Sequence, residues 1–484
     1  PLRPTVSQAF AHASVQAVVG TLIAHFHRTR TGQGQHVDAS LQEAAATWLD
    51  NAMPFWDILG VNLPRPGVGR STGGQLSGRY VFEAADGYMA ALSFGGIFGL
   101  TAQQTIAWLA SHDAAADLGE EVWLEKLDAS RGIRPPLSPE DQAHVVDVLA
   151  AFCRRFPRLQ LMHEAQAIRN GWGPVQTPRD LLENEHLVGR GYWQEVEHPE
   201  LDRSFTYPGP WARLSGTPLK PARRAPMVGE HQEEVLAEST TTAAEREPTE
   251  RVRPAGDVLG ASGAFEGIRV ADFAWVGVGP LTSKYLADHG AEVIRLESAT
   301  RPETLRRAPP FVNGEAGQDR SGYYANYNSS KLGAGLNMSH PRAIEPAKRL
   351  VAECDIVTES FTPRAMRNWG LTYEDLREVR PDIIMISMPL YGSVGPWSLY
   401  QGYGHVLQAA SGISHMTGYR DGEPIGTGYA YTDFFVPHLA AAALIAALDH
   451  RERTGEGQHI DFAQIEAAIY ATETMILDYT VNGR

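Results

Sequence analysis

The sequence predicts an α/β protein whose main unit is a parallel sheet with helices on both faces. Strand and helix patterns alternate between residues 267 and 392, as in GIRVADFAWVG, PLTSKYLADHGA and EVIRLES, and this alternation is typical of parallel sheets. Residues 61–171 mix a long Gly/Pro loop, a strand pair with an Asp86-Gly87 turn and helical patterns, which predicts a smaller α+β unit. A repeat links the two ends of the chain.

The alternating region also indicates where a ligand binds. In open parallel sheets ligands lie beyond the carboxyl ends of the strands, which here are Trp275–Gly279, Leu296–Ser298, Phe361 and Met388–Gly392. The loop after the first strand, VGVGP, lacks the G-x-G-x-x-G spacing of a dinucleotide site. The chain also lacks a Walker lysine motif, an H-E-x-x-H motif and a G-x-S-x-G motif.

Composition, net charge and cysteine count limit the kinds of function that this protein can have. The 484 residues are 43 % hydrophobic and 20 % charged, which is typical of a soluble protein of two or more domains. A net charge of −15 disfavours nucleic-acid and membrane partners, and we expect a cytoplasmic protein without a segment that spans a bilayer. Two cysteines predict neither disulfides nor a metal cluster. Because the chain begins at Pro1 and stops at Arg484 within a helical pattern, we expect a fragment cut at both ends.

The repeat is long enough to indicate a duplicated unit. Residues 28–45 read RTRTGQGQHVDASLQEAA and residues 451–468 read RERTGEGQHIDFAQIEAA, with eleven of eighteen positions identical at a constant offset of 423. Self-similarity of this length is a signature of repeated architecture. The two segments therefore predict equivalent helices that end in equivalent turns.

Asp433 stands just before the Ala/Leu-rich helix of the second repeat, which is expected to close with Arg451, Arg453 and Gly455. A carboxylate there is either an N-cap or a nucleophile or base at the mouth of a cleft. The offset of 423 places Phe10 opposite Asp433, and no Asp or Glu precedes Asp38. If the carboxylate only capped the helix, Phe would be a poor replacement, so the repeat favours a chemical role.

These pieces together resemble the family III CoA-transferases, the CaiB/BaiF type that includes formyl-CoA and carnitine-CoA transferases. The resemblance rests on GIRVADFAWVGVGP followed by ADHGAEVIRLE, on CDIVTESFTPRAMRNWG and YGHVLQAASG, and on RTGEGQHID. Segments between 179 and 237, among them RDLLENEHLVGRGYWQEVEHP and APMVGEHQEEVL, look like the family's C-terminal end. The resemblance therefore covers nearly the whole chain, as the latter part of one copy followed by the first part of another.

The resemblance implies a Rossmann-like large domain, a smaller α+β domain and two interlocked copies that form a pseudo-dimer or a homodimer. It implies that the family's Gly-rich loop over the catalytic Asp is Gly73-Gly74-Gln75, so one composite site would combine this loop with Asp433. The predicted units are the end of the large-domain N-terminal part of copy one (1–60), its small domain (61–171), its C-terminal return segment (172–230), a linker (231–262) and the truncated large domain of copy two (263–484).

The implied chemistry moves CoA between an acyl-CoA and a small carboxylic acid through Asp433, with no permanently bound cofactor and no metal. The residues that stand where the family contacts CoA are Val276, Gly277, Leu336, Phe361 and Tyr403. At two positions where the family commonly has a basic residue, this chain has Ser298 and Asn368. Arg301, Arg306 and Arg367 are the alternative phosphate ligands, although each is also a plausible surface charge.

Two other functions stay open. The α-methylacyl-CoA racemases share the fold and use a His–Asp pair for proton transfer, but their His position is occupied by Tyr403, with His405 two residues away. The third reading is a non-catalytic acyl-CoA-binding subunit, because Phe10 and the altered basic positions depart from the catalytic pattern. Binding of CoA without turnover would distinguish it.

Overall fold

The structure is a computed structural model that describes residues 7–49, 52–63, 70–72, 75–77, 79–91, 102–127, 137–220, 222–239, 263–472 and 474–483. We call residues 7–239 the first half and residues 263–483 the second half. Gly73 and Gly74 of the predicted active-site loop lie outside the described residues.

The first half contains ten α-helices and eight short strands among its described residues. The helices are α1 (Gln8–Thr31), α2 (Leu41–Ala46), α3 (Ala52–Leu59), α4 (Ala102–Ser111), α5 (Glu121–Leu127), α6 (Pro139–Cys153), α7 (Arg158–Ala167), α8 (Pro178–Glu183), α9 (Glu185–Gly189) and α10 (Gln232–Ser239). The strands are β1 (Arg70–Thr72), β2 (Gln75–Ser77), β3 (Val81–Ala84), β4 (Gly87–Ala90), β5 (Gly173–Pro174), β6 (Gln194–His198), β7 (Arg203–Tyr207) and β8 (Arg213–Leu214).

The second half alternates strands and helices. Its strands are β9 (Arg269–Asp272), β10 (Glu292–Glu297), β11 (Leu332–Gly335), β12 (Ile356–Glu359), β13 (Ile384–Ser387) and β14 (His459–Asp461). Its helices are α11 (Val278–Asp288), α12 (Gly322–Asn328), α13 (Ile344–Ala352), α14 (Pro363–Trp369), α15 (Tyr373–Arg377), α16 (Gly404–Ala410), α17 (Thr432–Thr454), α18 (Gln464–Tyr470) and α19 (Met475–Asn482).

The main sheet has seven strands in the order β11-β10-β9-β12-β13-β14-β8, and β9 to β14 all run parallel. Strands β12 and β13 are buried at every position. Central strands of a parallel sheet that is covered by helices on both faces are buried in this way. The predicted α/β class with a parallel sheet is therefore confirmed.

The last strand of this sheet comes from the other half of the chain. In β8, Arg213 and Leu214 pair antiparallel with Asp461 and Ile460 of β14. A strand pair across this sequence distance means that the first half completes the sheet of the second. This exchange fits the predicted interlocked, tandem arrangement.

A buried ion-pair cluster fixes the same junction. Arg190, after α9, donates from Nε and Nη2 to the two carboxylate oxygens of Glu466 in α18, at 2.7 and 3.0 Å, and from Nη1 to Asp461 at 3.1 Å. The side chains of Arg190 and Glu466 are 0 % exposed. A bidentate Arg–carboxylate pair is directional, so it specifies how the return segment docks on the second half.

The two repeated segments form equivalent helices that pack against each other. Helices α1 and α17 make the most extensive contact between helices in the described chain. They end alike, at Gly32 with φ 76° and at Gly455 with φ 75°, where the glycine N–H bonds to the carbonyl of Arg28 or Arg451. A left-handed cap of this kind favours glycine, as the repeat predicts.

Both helices are also long and apolar enough to cross a bilayer by length and composition alone, so the absence of a spanning segment stays a prediction. The core position of α17 gives a second reason for its composition, because 83 % of its most apolar window is buried inside the protein. A long apolar helix that is hydrophobic all round is typical of a protein core as well as of a membrane.

At the α1–α17 contact two neutral histidines meet. The rings of His12 and His438 lie 4.8 Å apart, edge to face. The ring of His12 contacts Trp48 Nε1 at 2.6 Å and Thr47 Oγ1 at 3.0 Å, while His438 Nε2 lies 2.7 Å from Tyr285 OH. Burial lowers the pKa of His12 to about 2 and that of His438 to about 4.

Two local predictions have different outcomes. The Asp86-Gly87 hairpin forms as β3 and β4, with Gly87 at φ 146°. The predicted linker 231–262 begins with helix α10, whose described side chains are exposed, and residues 240–262 lie outside the described chain. The unit boundaries stay a prediction.

The ion-pair cluster leads to a stability prediction. We expect Glu466→Gln to lower the free energy of unfolding by about 3–5 kcal/mol, because it leaves the buried Arg190 without its main counter-charge. Denaturant unfolding of the full chain measures this loss. The control is Glu456→Gln, since the Glu456 side chain is 77 % exposed. A loss below about 1 kcal/mol for Glu466→Gln would contradict the structure.

The histidine pair predicts a pH dependence. Because both pKa values are lower in the folded state than the ordinary 6.5, the unfolded chain binds more protons below that pH. The contribution of these groups to stability is therefore complete above about pH 7 and is lost as pH falls from about 6.5 towards 4 for His438 and further for His12.

His12→Phe, which copies Phe435 at the equivalent repeat position, should flatten this loss between pH 6.5 and 4. The exposed His36 supplies the control His36→Gln, which should leave the slope unchanged. Urea unfolding at several pH values measures the slope. Equal slopes for His12→Phe and the unmodified chain would refute the assignment.

Candidate active site

Asp433 lies in the first turn of α17 rather than before it. The helix begins at Thr432, Tyr431 occupies the N-cap position without a side-chain capping bond, and the Asp433 N–H bonds to the Ala430 carbonyl at 2.9 Å. The N-cap interpretation of Asp433 placed the acid two residues too early, because Tyr431 is the N-cap. The carboxylate instead projects from the start of a helix, where the helix dipole favours a negative charge.

Two glycines face the two oxygens of this carboxylate. A β-carbon on Gly277 would lie 2.7 Å from Asp433 Oδ2, and one on Gly404 would lie 2.7 Å from Oδ1. Gly277 is the N-cap residue of α11, and Gly404 is the first residue of α16. The starts of three helices therefore converge on one acid, and only glycine lets the backbone approach so closely.

The backbone before Gly277 is strained. Val276 has φ 65°, a left-handed conformation that is unusual for a β-branched residue. Its N–H donates to Oε1 of the fully buried Glu303 at 3.1 Å. On the other side the hydroxyl of Ser360 accepts from Trp275 N at 2.9 Å and donates to Trp275 O at 3.0 Å. Two polar side chains thus hold the turn that contacts Asp433.

Behind this turn is a buried charge cluster. Arg295 pairs with Asp272 at 3.3 Å and with Glu303 at 3.6 Å, and Lys331 Nζ donates to Asp272 at 3.0 Å. Burial raises the pKa of Glu303 and lowers that of Lys331 to about 8. Burial alone would raise the pKa of Asp272, but Lys331 and Arg295 hold it below its usual value.

The first half of the chain reaches the loop that leads to Asp433. Arg79 forms an ion pair with Glu423, and the ring of Tyr80 lies 4.8 Å from that of His405, edge to face. A β-carbon on Gly426 would collide with Tyr80. Residues that follow the predicted Gly-rich loop are therefore fixed close to α16. Of that loop, Gln75 begins strand β2, and only its backbone is described.

Aromatic rings surround the start of α17. Trp48 of the first half packs edge to face on Tyr431, with centroids 5.2 Å apart. Trp48 also borders a small cluster that contains Leu305, Tyr323, Tyr327 and Phe434 and is flanked by Val276 and Tyr429. These rings provide an apolar wall next to the carboxylate, to which both halves contribute. No sequence motif marks Trp48, so its place in this wall could not be predicted.

The predicted CoA-contacting residues occupy two neighbouring places. Three of them lie at the contacts with Asp433: Gly277 makes one contact itself, and Val276 and Tyr403 directly precede the contacting glycines Gly277 and Gly404. Phe361 and Leu336 border a second apolar cluster with Trp369. The Trp275 ring, 5.7 Å from that of Phe361, connects the two places. The five residues thus follow the carboxyl edge of the sheet, and their contact with CoA stays a prediction.

The alternative phosphate ligands differ in their availability. Arg306 pairs with Glu297 at 2.6 Å and Asp319 at 2.7 Å and lies over the ring of Tyr324. Arg301 and Arg367 are exposed. Arg306 would have to break its ion pairs with two carboxylates before it could bind a phosphate. Arg301 and Arg367 are therefore more accessible to a phosphate than Arg306 is. Within the described chain, no group of three or more His, Cys, Asp or Glu side chains is arranged to hold a metal ion.

A known protein family matches both halves of the chain. The sequence profile of CoA-transferase family III matches residues 1–232 and again residues 265–484. The chain belongs to CoA-transferase family III. The double match fits the tandem arrangement that the repeat and the interlocked sheet indicate.

Individual relatives carry CoA-transferase names. The chain is 36 % identical to a succinate–glutarate CoA-transferase of Agrobacterium fabrum, over 46 % of this chain and 56 % of that protein. It is 26 % identical to the probable CoA-transferase Rv1866 of Mycobacterium tuberculosis, over 99 % of this chain and 57 % of that one. A crystal structure of a CaiB/BaiF family protein from Brucella suis aligns with TM-score 0.43 and 32 % identity, over 46 % and 59 %. The chain spans about half the length of the curated relatives it matches.

The glycine contacts lead to a prediction that can be tested by measuring stability, without an assay of enzyme activity. We expect Gly277→Ala to destabilise the protein by about 1–3 kcal/mol, because its methyl group would overlap the Asp433 carboxylate. In an Asp433→Ala background the same change should cost at least about 1 kcal/mol less. Gly119→Ala, where no atom lies within 4 Å of the new methyl, should be additive with Asp433→Ala. Additivity for Gly277→Ala as well would show that the two groups do not touch.

Proposed function

We propose that this chain carries a CoA-transferase site in which Asp433 moves CoA between an acyl-CoA thioester and a small carboxylic acid. The supporting observation is the carboxylate itself, which faces backbone at Gly277 and Gly404 where three helices begin. Helix starts and nearby N–H groups stabilise a negative charge on the carboxylate and on the oxyanions that form during acyl transfer.

The proposed reaction has four steps that balance without proton transfer. First, an Asp433 oxygen attacks the thioester carbonyl and the C–S bond breaks, which gives an aspartyl–acyl anhydride and the CoA thiolate. Second, the thiolate attacks the aspartyl carbonyl, which gives an aspartyl-CoA thioester and releases the donor carboxylate. Third, the acceptor carboxylate attacks the aspartyl carbonyl of this thioester, which expels the thiolate and gives an anhydride between Asp433 and the acceptor. Fourth, the thiolate attacks the acceptor carbonyl, which gives the new acyl-CoA and releases the Asp433 carboxylate. Covalent catalysis of this kind replaces one difficult step by easier ones.

The names of the relatives suggest the first substrates to test. Several are named for succinate or succinyl-CoA with glutarate, mesaconate or L-malate. We propose small dicarboxylic acids as acceptors and acyl-CoA as donor. The composite arrangement, as a pseudo-dimer or a homodimer, and the cytoplasmic location stay predictions.

The position of His405 does not favour the racemase alternative. The residue next to the carboxylate is Gly404, whereas the His405 ring packs against Tyr80. A racemase would exchange the proton on the carbon next to the thioester with solvent. Deuterium incorporation at that carbon would support the alternative, and CoA binding without exchange would support a non-catalytic subunit.

Asp433→Asn tests the proposal. An amide cannot form the anhydride, so exchange of CoA between succinyl-CoA and glutarate should fall by several orders of magnitude. Asn keeps the shape of the side chain and loses only its charge, whose interaction with a helix start is worth about 1 kcal/mol, so stability should change by no more than about that and CoA affinity should stay close to that of the unmodified chain. Asp421→Asn, at an exposed residue of the preceding loop, is the matched control.

The intermediate can be trapped directly. The unmodified protein incubated with succinyl-CoA and then hydroxylamine should carry a hydroxamate on the peptide that contains Asp433, which mass spectrometry detects. Near-normal exchange by Asp433→Asn, in protein shown to be free of deamidation, would overturn the mechanism.

A further inference from the structure

We infer that Glu303 is a positioning residue of this site: its carboxylate holds Val276 in the left-handed conformation that brings Gly277 against Asp433. The inference rests on the proposed function of Asp433 and concerns a residue that touches none of the reacting atoms. Three observations support it: the backbone geometry of Val276, the bonds of Glu303, and the lack of space for a side chain at Gly277.

The Val276 conformation needs an external support. A β-branched side chain is disfavoured at φ 65°, and such conformations persist where the surroundings impose them. Glu303 Oε1 accepts the N–H of Val276 at 3.1 Å and that of Leu305 at 3.0 Å. One oxygen therefore connects the turn before α11 to the segment after β10.

Glu303 is itself fixed from two sides. Its own N–H donates to Glu297 Oε1 at 2.8 Å, and its second oxygen lies 3.6 Å from Arg295 Nη2. Glu303 is 0 % exposed and Arg295 is 2 % exposed. Because its buried carboxylate is held between Arg295 and the N–H of Leu305, Glu303 can fix the position of Val276 through the bond that they share.

The consequence for Asp433 follows from the next residue. Gly277 comes directly after Val276, and its Cα is so close to the carboxylate that a β-carbon there would lie 2.7 Å from Oδ2. If Val276 relaxes to φ below zero, Gly277 and the start of α11 move relative to Asp433. Displacement by about 1 Å of a group that orients a reaction costs on the order of 100-fold in rate.

Three variants of the full chain separate positioning from stability. Glu303→Ala removes the acceptor for Val276. Glu303→Gln keeps an oxygen that can accept the same bond. Thr358→Val removes a bond to Asp272, in the same buried charge cluster, without touching the turn. Each is measured for kcat and KM with succinyl-CoA and glutarate, and for hydrogen–deuterium exchange of the peptide around Val276.

We expect Glu303→Ala to lower kcat about 10- to 100-fold, since the orientation of the turn is lost, and to raise KM for acyl-CoA by a smaller factor, since Val276 and Gly277 are only two of the five predicted CoA contacts. In this variant the peptide around Val276 should exchange its amide hydrogens for deuterium faster than in the unmodified chain. Glu303→Gln should keep kcat within about threefold of the unmodified chain, and Thr358→Val should keep both kcat and the exchange of this peptide.

The inference is overturned if Glu303→Ala keeps kcat and peptide exchange, if Glu303→Gln loses as much as Glu303→Ala, or if Thr358→Val loses kcat equally. Failure of the proposed function looks different: the unmodified chain would then transfer no CoA between any of the acids tested. In that case the exchange of the Val276 peptide in the three variants still decides whether Glu303 holds the turn.

Discussion

The packing of α1 against α17 is the contact on which the rest of the molecule depends. These helices come from equivalent segments of the repeat, so each half supplies one of them and neither half is complete without the other. From this contact the first half extends in three directions, through Trp48 to Tyr431, through Tyr80 to His405 and through β8 to β14. The candidate site is assembled because these contacts form together.

The repeat also shows how far a local sequence determines structure. Both copies end their helix in a left-handed glycine, because the cap depends on residues within one turn. Beyond the cap they differ. Ile460 is fully buried in β14, whereas its counterpart Val37 is 37 % exposed and belongs to no strand. Strand formation depends on the neighbouring strand, which only the second copy has in the described chain.

Phe10 and Asp433 show the same contrast at the site. Phe10 is 64 % exposed near the start of α1, while Asp433 lies against two glycines. An apolar ring could not replace the acid in that contact without displacing the backbone. The asymmetry of the repeat therefore reflects the surroundings of each helix start as well as the chemistry of the side chain.

The fold class could be predicted from sequence because β9, β10, β12 and β13 lie in apolar runs separated by amphipathic helices. Strand β11 could not, since its sequence LGAG is largely exposed and lacks a periodic pattern. The pairing of β8 with β14 was also beyond sequence reasoning, because two- and three-residue strands far apart in the chain carry no mutual signal. Only the tertiary fold selects that pair.

Within the site, Asp433 and Gly277 could be predicted because a repeat and a family motif mark them. Gly404 lay inside a recognised block, but the reason for glycine there is a close approach that only the fold creates. No sequence pattern marked Glu303 as part of the site, since an acidic residue after a strand is ordinarily on the surface. Its burial comes from Arg295 on β10, whose side chain turns inward.

The buried charge cluster explains how the site keeps its shape. Apolar packing is non-directional and would let the start of α11 slide relative to Asp433. Lys331 Nζ instead donates to Asp272, to the carbonyl of Pro280 in α11 and to Asn328 in α12. Such groups are costly to bury and are often replaceable by apolar residues without loss of stability. These groups lie directly behind the turn that contacts Asp433, and their directional bonds join β9, α11 and α12 near the start of α11.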